Sequence, residues 1–99
     1  MSLNIAIVGA TGNVGREMLN ILSDRKYDSS NIFPVASSKS EGMKVEFGVK
    51  ELTVEAIDKF DPAKVDLALF SAGASVSKEW APMFAEKNCI VIDLSLIHI

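Results

Sequence analysis

The hydrophobic pattern of the chain predicts alternating buried strands and amphipathic helices. Residues 5–8 are all apolar and are followed by a glycine-rich turn. Beyond that turn, apolar residues recur at helical spacing, at Val14, Met18, Leu19 and Leu22. An unbroken apolar run is typical of a parallel strand buried on both faces, and apolar residues three or four positions apart are typical of a helix with one buried face. The pattern therefore predicts a strand, a tight turn and a helix.

Three further apolar runs predict three more strands. They cover residues 32–36, 65–70 and 89–93, and the last is expected to be buried. Pro34 in the first run predicts an irregular or edge position, because proline lacks a backbone donor. A helix is predicted over 76–86, with its buried side at Val76, Trp80, Met83 and Phe84. Pro82 lies too deep in this helix to be its first residue, so we expect a kink or a later start.

The middle of the chain has a weaker pattern. Residues 44–47 and 50–54 partly alternate around Gly48, which predicts a small hairpin or an excursion from the sheet. Residues 55–60 predict a helical turn that ends at residues 61–62. Strands that alternate with helices imply right-handed crossovers and a parallel sheet. The predicted fold class is therefore α/β, with a Rossmann-like parallel sheet and helices on both faces.

The predicted topology brings three loops together. Ligands of such sheets bind beyond the carboxyl ends of the strands, where residues 9–15, 37–42 and 71–75 would meet. The third loop has small residues, which would let the backbone lie against the adenine or nicotinamide side of a nucleotide. That interpretation places Ala72 and Gly73 in the site. The alternative is that these residues only begin the next helix.

The first loop has the chemistry of a phosphate site. Gly9, Gly12 and Gly15 follow the spacing G-x-x-G-x-x-G. The first glycine allows a sharp turn, the second lets the backbone approach phosphate, and the third lets the helix pack closely on the strand. The unpaired N–H groups and partial positive charge of a helix N-terminus favour a dinucleotide pyrophosphate there, although glycines also serve ordinary turns. Thr11 and Asn13 offer additional donors or, alternatively, cap the helix.

The second loop bears on which nucleotide binds. An NAD site usually places a carboxylate after the second strand for the ribose 2′-hydroxyl, whereas an NADP site has a cation and hydroxyls for the 2′-phosphate. This loop offers Ser37, Ser38, Lys39 and Ser40, while Glu41 weakens the local positive field. We therefore predict NADP as the cofactor, with Lys39 as the charge and Ser40 as a donor. The alternative is a solvated serine-rich turn.

Composition excludes several classes of function. The 99 residues suit one domain, and 48% apolar with 23% charged residues is ordinary for a soluble globular chain. A net charge of −3, with scattered Lys and Arg, argues against nucleic-acid or membrane partners. The first strand begins at Ile5, which leaves no room for a signal peptide and predicts a cytoplasmic location. Cys89 is the single cysteine, so no internal disulfide and no zinc or other metal site is expected.

The three loops and their flanks resemble one known family. Residues 4–15, residues 36–42 and above all residues 69–82 (LFSAGASVSKEWAP) look like the amino-terminal half of the cofactor domain of bacterial aspartate-semialdehyde dehydrogenase. The resemblance covers residues 3–93. In that family NADPH reduces a thioacyl-enzyme formed from L-aspartyl 4-phosphate, which gives L-aspartate 4-semialdehyde and phosphate for lysine, threonine and methionine synthesis. The resemblance also implies a homodimer.

The same resemblance implies roles for individual residues. The pyrophosphate loop corresponds to Thr11, Gly12, Asn13 and Val14, and the 2′-phosphate contacts correspond to Lys39 and Ser40. Lys39 stands where arginine is common, which keeps the charge but loses the planar fork. The family's nucleophilic cysteine and base histidine are expected beyond residue 99, so the chain is interpreted as truncated and without a catalytic residue. Cys89 is interpreted as a small buried hydrophobic residue rather than the nucleophile.

The end of the sequence departs from the family's pattern. Residues 1–93 are interpreted as the N-terminal part of the nucleotide-binding domain, and residues 94–99 (LSLIHI) as a non-native tail. Back-translation of the tail resembles a transposon-end adapter, so our hypothesis is a read-through artefact in which His98 has no function. Two alternatives stay open for the chain as a whole. One is N-acetyl-glutamyl-phosphate reductase, which usually has a Pro-His pair in the third loop, and the other is a small NADP-binding module without chemistry.

Overall fold

A computed structural model describes residues 3–94, without the side chains of residues 74 and 75. Residues 95–99, which include His98 and most of the predicted tail, lie outside the described residues, so that interpretation stays a prediction. The described strands are β1 (Ile5–Val8), β2 (Ile32–Ala36), β3 (Lys44–Phe47), β4 (Lys50–Thr53), β5 (Glu55–Ala56), β6 (Leu67–Phe70) and β7 (Ile90–Asp93). The described helices are α1 (Asn13–Asp24) and α2 (Ala74–Glu86). Neither helix is long and apolar enough to cross a membrane.

Five of the strands form a parallel sheet in the order β5-β2-β1-β6-β7, and β3 and β4 form a separate antiparallel hairpin. The two helices cover opposite faces of this sheet. Alternate residues of a strand point to opposite faces, so Ile7 packs with Leu19 of α1 while Val8 packs with Phe84 of α2. The α/β class, the Rossmann-like parallel sheet with helices on both faces, and the hairpin are thereby confirmed.

Pro34 lies in an internal strand, so the prediction of an edge position was wrong. β2 pairs with β1 from Ile32 to Val35 and with β5 at Val35 and Ala36. The carbonyl of Val35 accepts from Gly9 N–H on the β1 side, and that of Ala36 accepts from Ile57 N–H on the other side. Because backbone polar groups alternate in direction, the nitrogen of Pro34 faces the β5 side, one residue before β5 begins to pair. Proline is tolerated there because no described strand offers an acceptor opposite its nitrogen, so the absence of an N–H donor costs no hydrogen bond.

The predicted helical turn over 55–60 is also wrong at its start. Glu55 and Ala56 form β5 beside β2, and a turn closed by Lys59 N–H to the Ala56 carbonyl (3.0 Å) follows. The sheet buries Ala56 completely. Pairing with a strand that is distant in sequence therefore determines the local conformation.

Helix α2 begins earlier than predicted and runs through Pro82, so the expected later start was wrong. Phe84 is fully buried, and Val76 and Trp80 pack against the same core, as predicted. Met83 is instead 43% exposed. Residues 76, 80 and 84 are four apart and form one stripe, whereas residue 83 lies on the flank of that stripe, where no described element covers it.

Strand β7 is an edge strand rather than the buried strand predicted. Within the described residues it pairs with β6 alone, and Ile90 and Ile92 are 64% and 43% exposed. Their register partners Leu67 and Leu69 are only partly buried. This end of the sheet therefore presents an apolar surface beside an open strand edge.

We expect this open edge to promote self-association of the chain. A variant with both Ile90→Lys and Ile92→Lys should give a larger soluble fraction and less light scattering, because charges on an edge strand oppose pairing with another chain. Val49→Lys is the matched control, since Val49 is already fully exposed in the turn of the hairpin. Equal solubility of the double variant and the unmodified chain would contradict this expectation.

Candidate functional site

Three loops meet at the carboxyl ends of β1, β2 and β6, as predicted, and enclose a cleft of about 390 Å³. Five of the predicted site residues line this cleft, namely Gly9, Thr11, Gly12, Ser37 and Ala72. Asn13 and Val14 lie in the exposed first turn of α1, and Gly73 directly precedes α2. Lys39 and Ser40 lie in a short 3₁₀ turn, Ser38–Ser40, that follows Ser37. The structure therefore places the predicted site residues on the three loops or, for Asn13 and Val14, in the first turn of α1, although only some form the wall of the cleft.

Backbone hydrogen bonds hold the first and third loops against the sheet. The N–H of Gly9 donates to the Val35 carbonyl of β2 at 2.8 Å. The carbonyl of Val8 in β1 accepts both the N–H of Ser71, at 2.8 Å, and its hydroxyl, at 3.1 Å. These bonds fix the two loops relative to each other and use the Ser71 hydroxyl for structure.

Gly9 and Gly15 are required by close approaches within the protein. Gly9 has a φ of +96°, and a Cβ there would lie 2.8 Å from the backbone nitrogen of Ala72 in the third loop. A Cβ on Gly15 would overlap the carbonyl oxygen of Gly9 and lie 2.8 Å from the Cα of Ala10. The first glycine thus brings two loops together, and the third lets α1 start against the end of β1.

Gly12 differs from the other two glycines. It is the N-cap residue of α1 in extended backbone geometry, with φ −82° and ψ 172°. A Cβ there would lie 3.5 Å from the Gly9 carbonyl oxygen, which is ordinary van der Waals contact. Gly12 has no side chain with which to cap the helix, and among residues 3–94 no side-chain hydrogen bond from Thr11 or Asn13 caps it, so the alternative capping role is not seen. The fold itself therefore does not require a glycine at residue 12.

The positive N-terminal end of α1 is not neutralised by a carboxylate in its own first turn. No acidic residue lies in its first turn, and its first intrahelical bond runs from Arg16 N–H to the Gly12 carbonyl. The N–H groups of Asn13 and Val14 precede that bond and have no acceptor within the helix. Unpaired donors and the positive end of the helix dipole thus lie beside the cleft.

In the second loop, Lys39 is exposed, and its Nζ has no ion pair among residues 3–94. The Ser40 N–H donates to the Ser37 carbonyl at 2.9 Å, which closes the turn. Glu41 pairs with Lys59, with 3.2 Å between Oε1 and Nζ. The carboxylate that was expected to weaken the field of Lys39 therefore has a cationic partner.

The cleft also has an apolar wall that sequence reasoning missed. The residues of this wall are Val8, Ala36, Ile57, Val76 and Trp80, and Ser71 of the predicted third loop lines the cleft as well. Val76 and Trp80 were assigned to the core, because helical spacing does not distinguish a core residue from one at the edge of a cleft. Ile57 was missed because its segment was predicted to be helical. A cleft with polar loops on one side and an apolar wall on the other suits a ligand with phosphates and a flat ring.

A profile of the family described as semialdehyde dehydrogenase, NAD binding domain, matches residues 4–97. The chain belongs to the semialdehyde dehydrogenase NAD-binding family. Membership in this family agrees with the predicted nicotinamide cofactor. It also places the glycine loop, the serine-rich loop and the third loop in a nucleotide-binding domain.

Individual semialdehyde dehydrogenases are similar over nearly the whole chain. Aspartate-semialdehyde dehydrogenase of Rickettsia bellii is 51% identical over 92 residues, which are 93% of this chain and 27% of that protein. The crystal structure of aspartate semialdehyde dehydrogenase II from Vibrio cholerae has a TM-score of 0.87 at 43% identity and covers 94% of this chain and 30% of that one. A probable aspartate-semialdehyde dehydrogenase from Pseudomonas aeruginosa has a TM-score of 0.89 at 39% identity, over 96% of this chain and 28% of that one. The chain thus spans less than a third of the length of these relatives.

Cys89 is the single cysteine of this semialdehyde dehydrogenase domain, and it is only 5% exposed. Burial, followed by the negative charge of Asp66, raises the pKa of its thiol. The thiol contacts the Ile90 carbonyl, with 3.6 Å between sulfur and oxygen. A buried thiol that resists ionisation is a poor nucleophile, which agrees with the interpretation of Cys89 as a structural residue.

Proposed function

We propose that this chain is the nucleotide-binding part of an NADPH-dependent aspartate-semialdehyde dehydrogenase. The observation that carries the proposal is the uncapped start of α1 at the edge of the cleft where three loops meet. The identity to relatives of that name supports it, and those relatives give no support to the N-acetyl-glutamyl-phosphate reductase alternative.

The geometry at Gly12 fits a dinucleotide pyrophosphate. The protein itself leaves room for a side chain at this position, yet the position holds a glycine. A phosphate that approaches the backbone closely accounts for that choice, because a Cβ would project into the space that the phosphate takes. The N–H groups of Asn13 and Val14 would donate to it, and Thr11 lines the adjoining cleft.

The second loop supports NADPH rather than NADH. Ser37 occupies the position directly after β2, where an NAD site usually has a carboxylate. Lys39 has no ion pair within the described part of the chain, and Glu41 is paired with Lys59. We assign Lys39 as the cation and Ser40 as the donor for the 2′-phosphate.

The chain's own residues would bind and orient the cofactor. When bound, the cofactor supplies a hydride to the acyl group derived from L-aspartyl 4-phosphate. Cys89 is buried, so we propose that the nucleophile is supplied by a part of a longer protein and that this chain binds NADPH without catalysing the reaction. We further propose that the whole enzyme is a cytoplasmic homodimer.

Buried Cys89 also leaves a non-catalytic NADP-binding module as the second candidate. Genomic sequence after codon 93 distinguishes the two, since a cysteine-containing segment supports the enzyme and an early native stop codon supports the module.

Fluorescence titration tests the cofactor assignment directly. Trp80 is the only tryptophan of the chain and lines the cleft, so its emission should change when the cleft fills. We expect NADPH to bind about tenfold more tightly than NADH, because a charge-assisted contact contributes about 1.5 kcal/mol and 1.4 kcal/mol corresponds to a factor of ten. Lys39→Met should remove most of that difference and leave NADH binding unchanged.

The controls separate the two parts of the proposal. Lys87→Gln removes an exposed charge at the far end of α2, away from the carboxyl ends of the strands, and should preserve the preference. Equal or tighter binding of NADH by the unmodified chain would overturn the assignment of Lys39 and Ser40. If neither NADPH nor NADH binds to a folded chain, the proposed site is overturned.

A further inference from the structure

The Glu41–Lys59 ion pair joins two segments that border the cleft. Glu41 follows the short turn of the second loop, and Lys59 closes the turn after β5. Ser37 in the first of these segments and Ile57 in the second both line the cleft. The ion pair therefore lies beside the site rather than at a remote surface.

The second loop is electrically neutral by itself. Between residues 37 and 42 it contains one cation, Lys39, and one carboxylate, Glu41. A carboxylate two residues from a cation reduces the positive potential that the cation offers to a phosphate. The binding preference of the loop consequently depends on what Glu41 is paired with.

Backbone bonds fix Glu41 near its partner. The N–H of Glu41 donates to the Ser38 carbonyl at 3.3 Å, and the N–H of Gly42 donates to the Val54 carbonyl at 2.9 Å. The second loop is thereby attached to the chain between β4 and β5, close to Lys59. Among residues 3–94, the Lys59 ammonium forms an ion pair with Glu41 and with no other carboxylate.

We propose that Lys59 is a specificity-determining residue for the nucleotide. By pairing with Glu41 it neutralises the carboxylate of the second loop and leaves Lys39 able to select the 2′-phosphate. This inference rests on the proposed NADPH site. Lys59 is not among the residues that line the cleft, and it acts through Glu41 as a positioning residue.

A double-mutant cycle with Lys59→Gln and Glu41→Gln tests the inference. Each protein is titrated with NADPH and with NADH, and the ratio of the two dissociation constants is compared. Lys59→Gln should lower the preference for NADPH only about threefold, since the side chains of Lys59 and Glu41 are 67% and 42% exposed and solvent screens the pair. NADH binding should not change. If Lys59 had only a structural role, the substitution would weaken the binding of both NADPH and NADH.

The second half of the cycle removes the cause of the effect. With Glu41→Gln present, adding Lys59→Gln should change the preference little, because no carboxylate is left to neutralise. The threefold effect should also shrink as salt is raised. Lys87→Gln, which removes one positive charge elsewhere, should leave the ratio unchanged.

The outcomes distinguish this inference from the proposed function. If the unmodified chain prefers NADPH but Lys59→Gln keeps the full preference, Lys59 has no role in specificity and the cofactor assignment stands. An effect of Lys59→Gln that persists with Glu41→Gln present would also overturn the inference, because it would not act through Glu41. If the unmodified chain lacks the preference, the NADPH assignment fails together with the inference.

Discussion

Replacing Gly12 by aspartate should remove dinucleotide binding from a chain that still folds. The backbone of Gly12 is in a region open to any residue, and a Cβ fits there. An aspartate at the N-cap would accept from the first N–H groups of α1 and favour its positive end, which stabilises helices by about 0.5 kcal/mol relative to glycine. The same carboxylate would occupy the donors assigned to the pyrophosphate and repel it.

The expected loss of affinity for Gly12→Asp is on the order of 100-fold or more, since like charges about 4 Å apart near a protein surface repel by up to about 4 kcal/mol. Gly12→Asn is the matched control, because it adds the same bulk and the same cap without the charge. It should lose about tenfold, and the difference between the two variants should shrink with added salt. Unchanged NADPH affinity in Gly12→Asp, measured by Trp80 emission, would contradict the pyrophosphate site.

The second large effect concerns Gly15, where alanine should destabilise the fold. In an ordinary helix position, replacement of glycine by alanine stabilises by about 0.5–1 kcal/mol. At Gly15 the new Cβ would meet the backbone of Gly9 and Ala10, which has no flexible end to move aside. We expect a net destabilisation of about 3 kcal/mol, at the upper end of overpacking effects.

The sign of the Gly15→Ala effect is itself diagnostic, and urea denaturation followed by circular dichroism measures it. Asn20→Ala is the control, since Asn20 is exposed in the same helix and its replacement should slightly raise stability. A raised midpoint for Gly15→Ala would show that α1 is not packed as closely on β1 as described. Because a chain of this length has a small stability margin, a loss of this size should leave a substantial unfolded fraction.

Features set by nearby residues could be predicted from the sequence. The apolar run at 5–8, the glycine spacing and the helical pattern after it lie within one continuous segment, so β1, the first loop and α1 follow from local rules. The same holds for the meeting of three loops, because the topology of a parallel sheet fixes which ends of the strands come together.

Features set by distant pairing could not be predicted. Ala56 becomes a strand residue because β2 lies beside it, and Ile92 is exposed because no described strand follows β7 in the sheet. Within the site, Ile57 and Trp80 line the cleft through tertiary placement that no local pattern encodes. The partner of Glu41 is 18 residues away, so this ion pair could not be predicted from the sequence of the second loop either.

The central strand gains its two neighbours at very different times during synthesis. β1 pairs with β2 at Ile32 and with β6 at Leu67, so the second pairing awaits a much longer nascent chain. Trp80, in the wall of the cleft, leaves the ribosome later still. A growing polypeptide must therefore hold the apolar β1 unpaired on one side until residues 67–70 have been synthesised, and apolar surface exposed during this interval favours aggregation and chaperone binding.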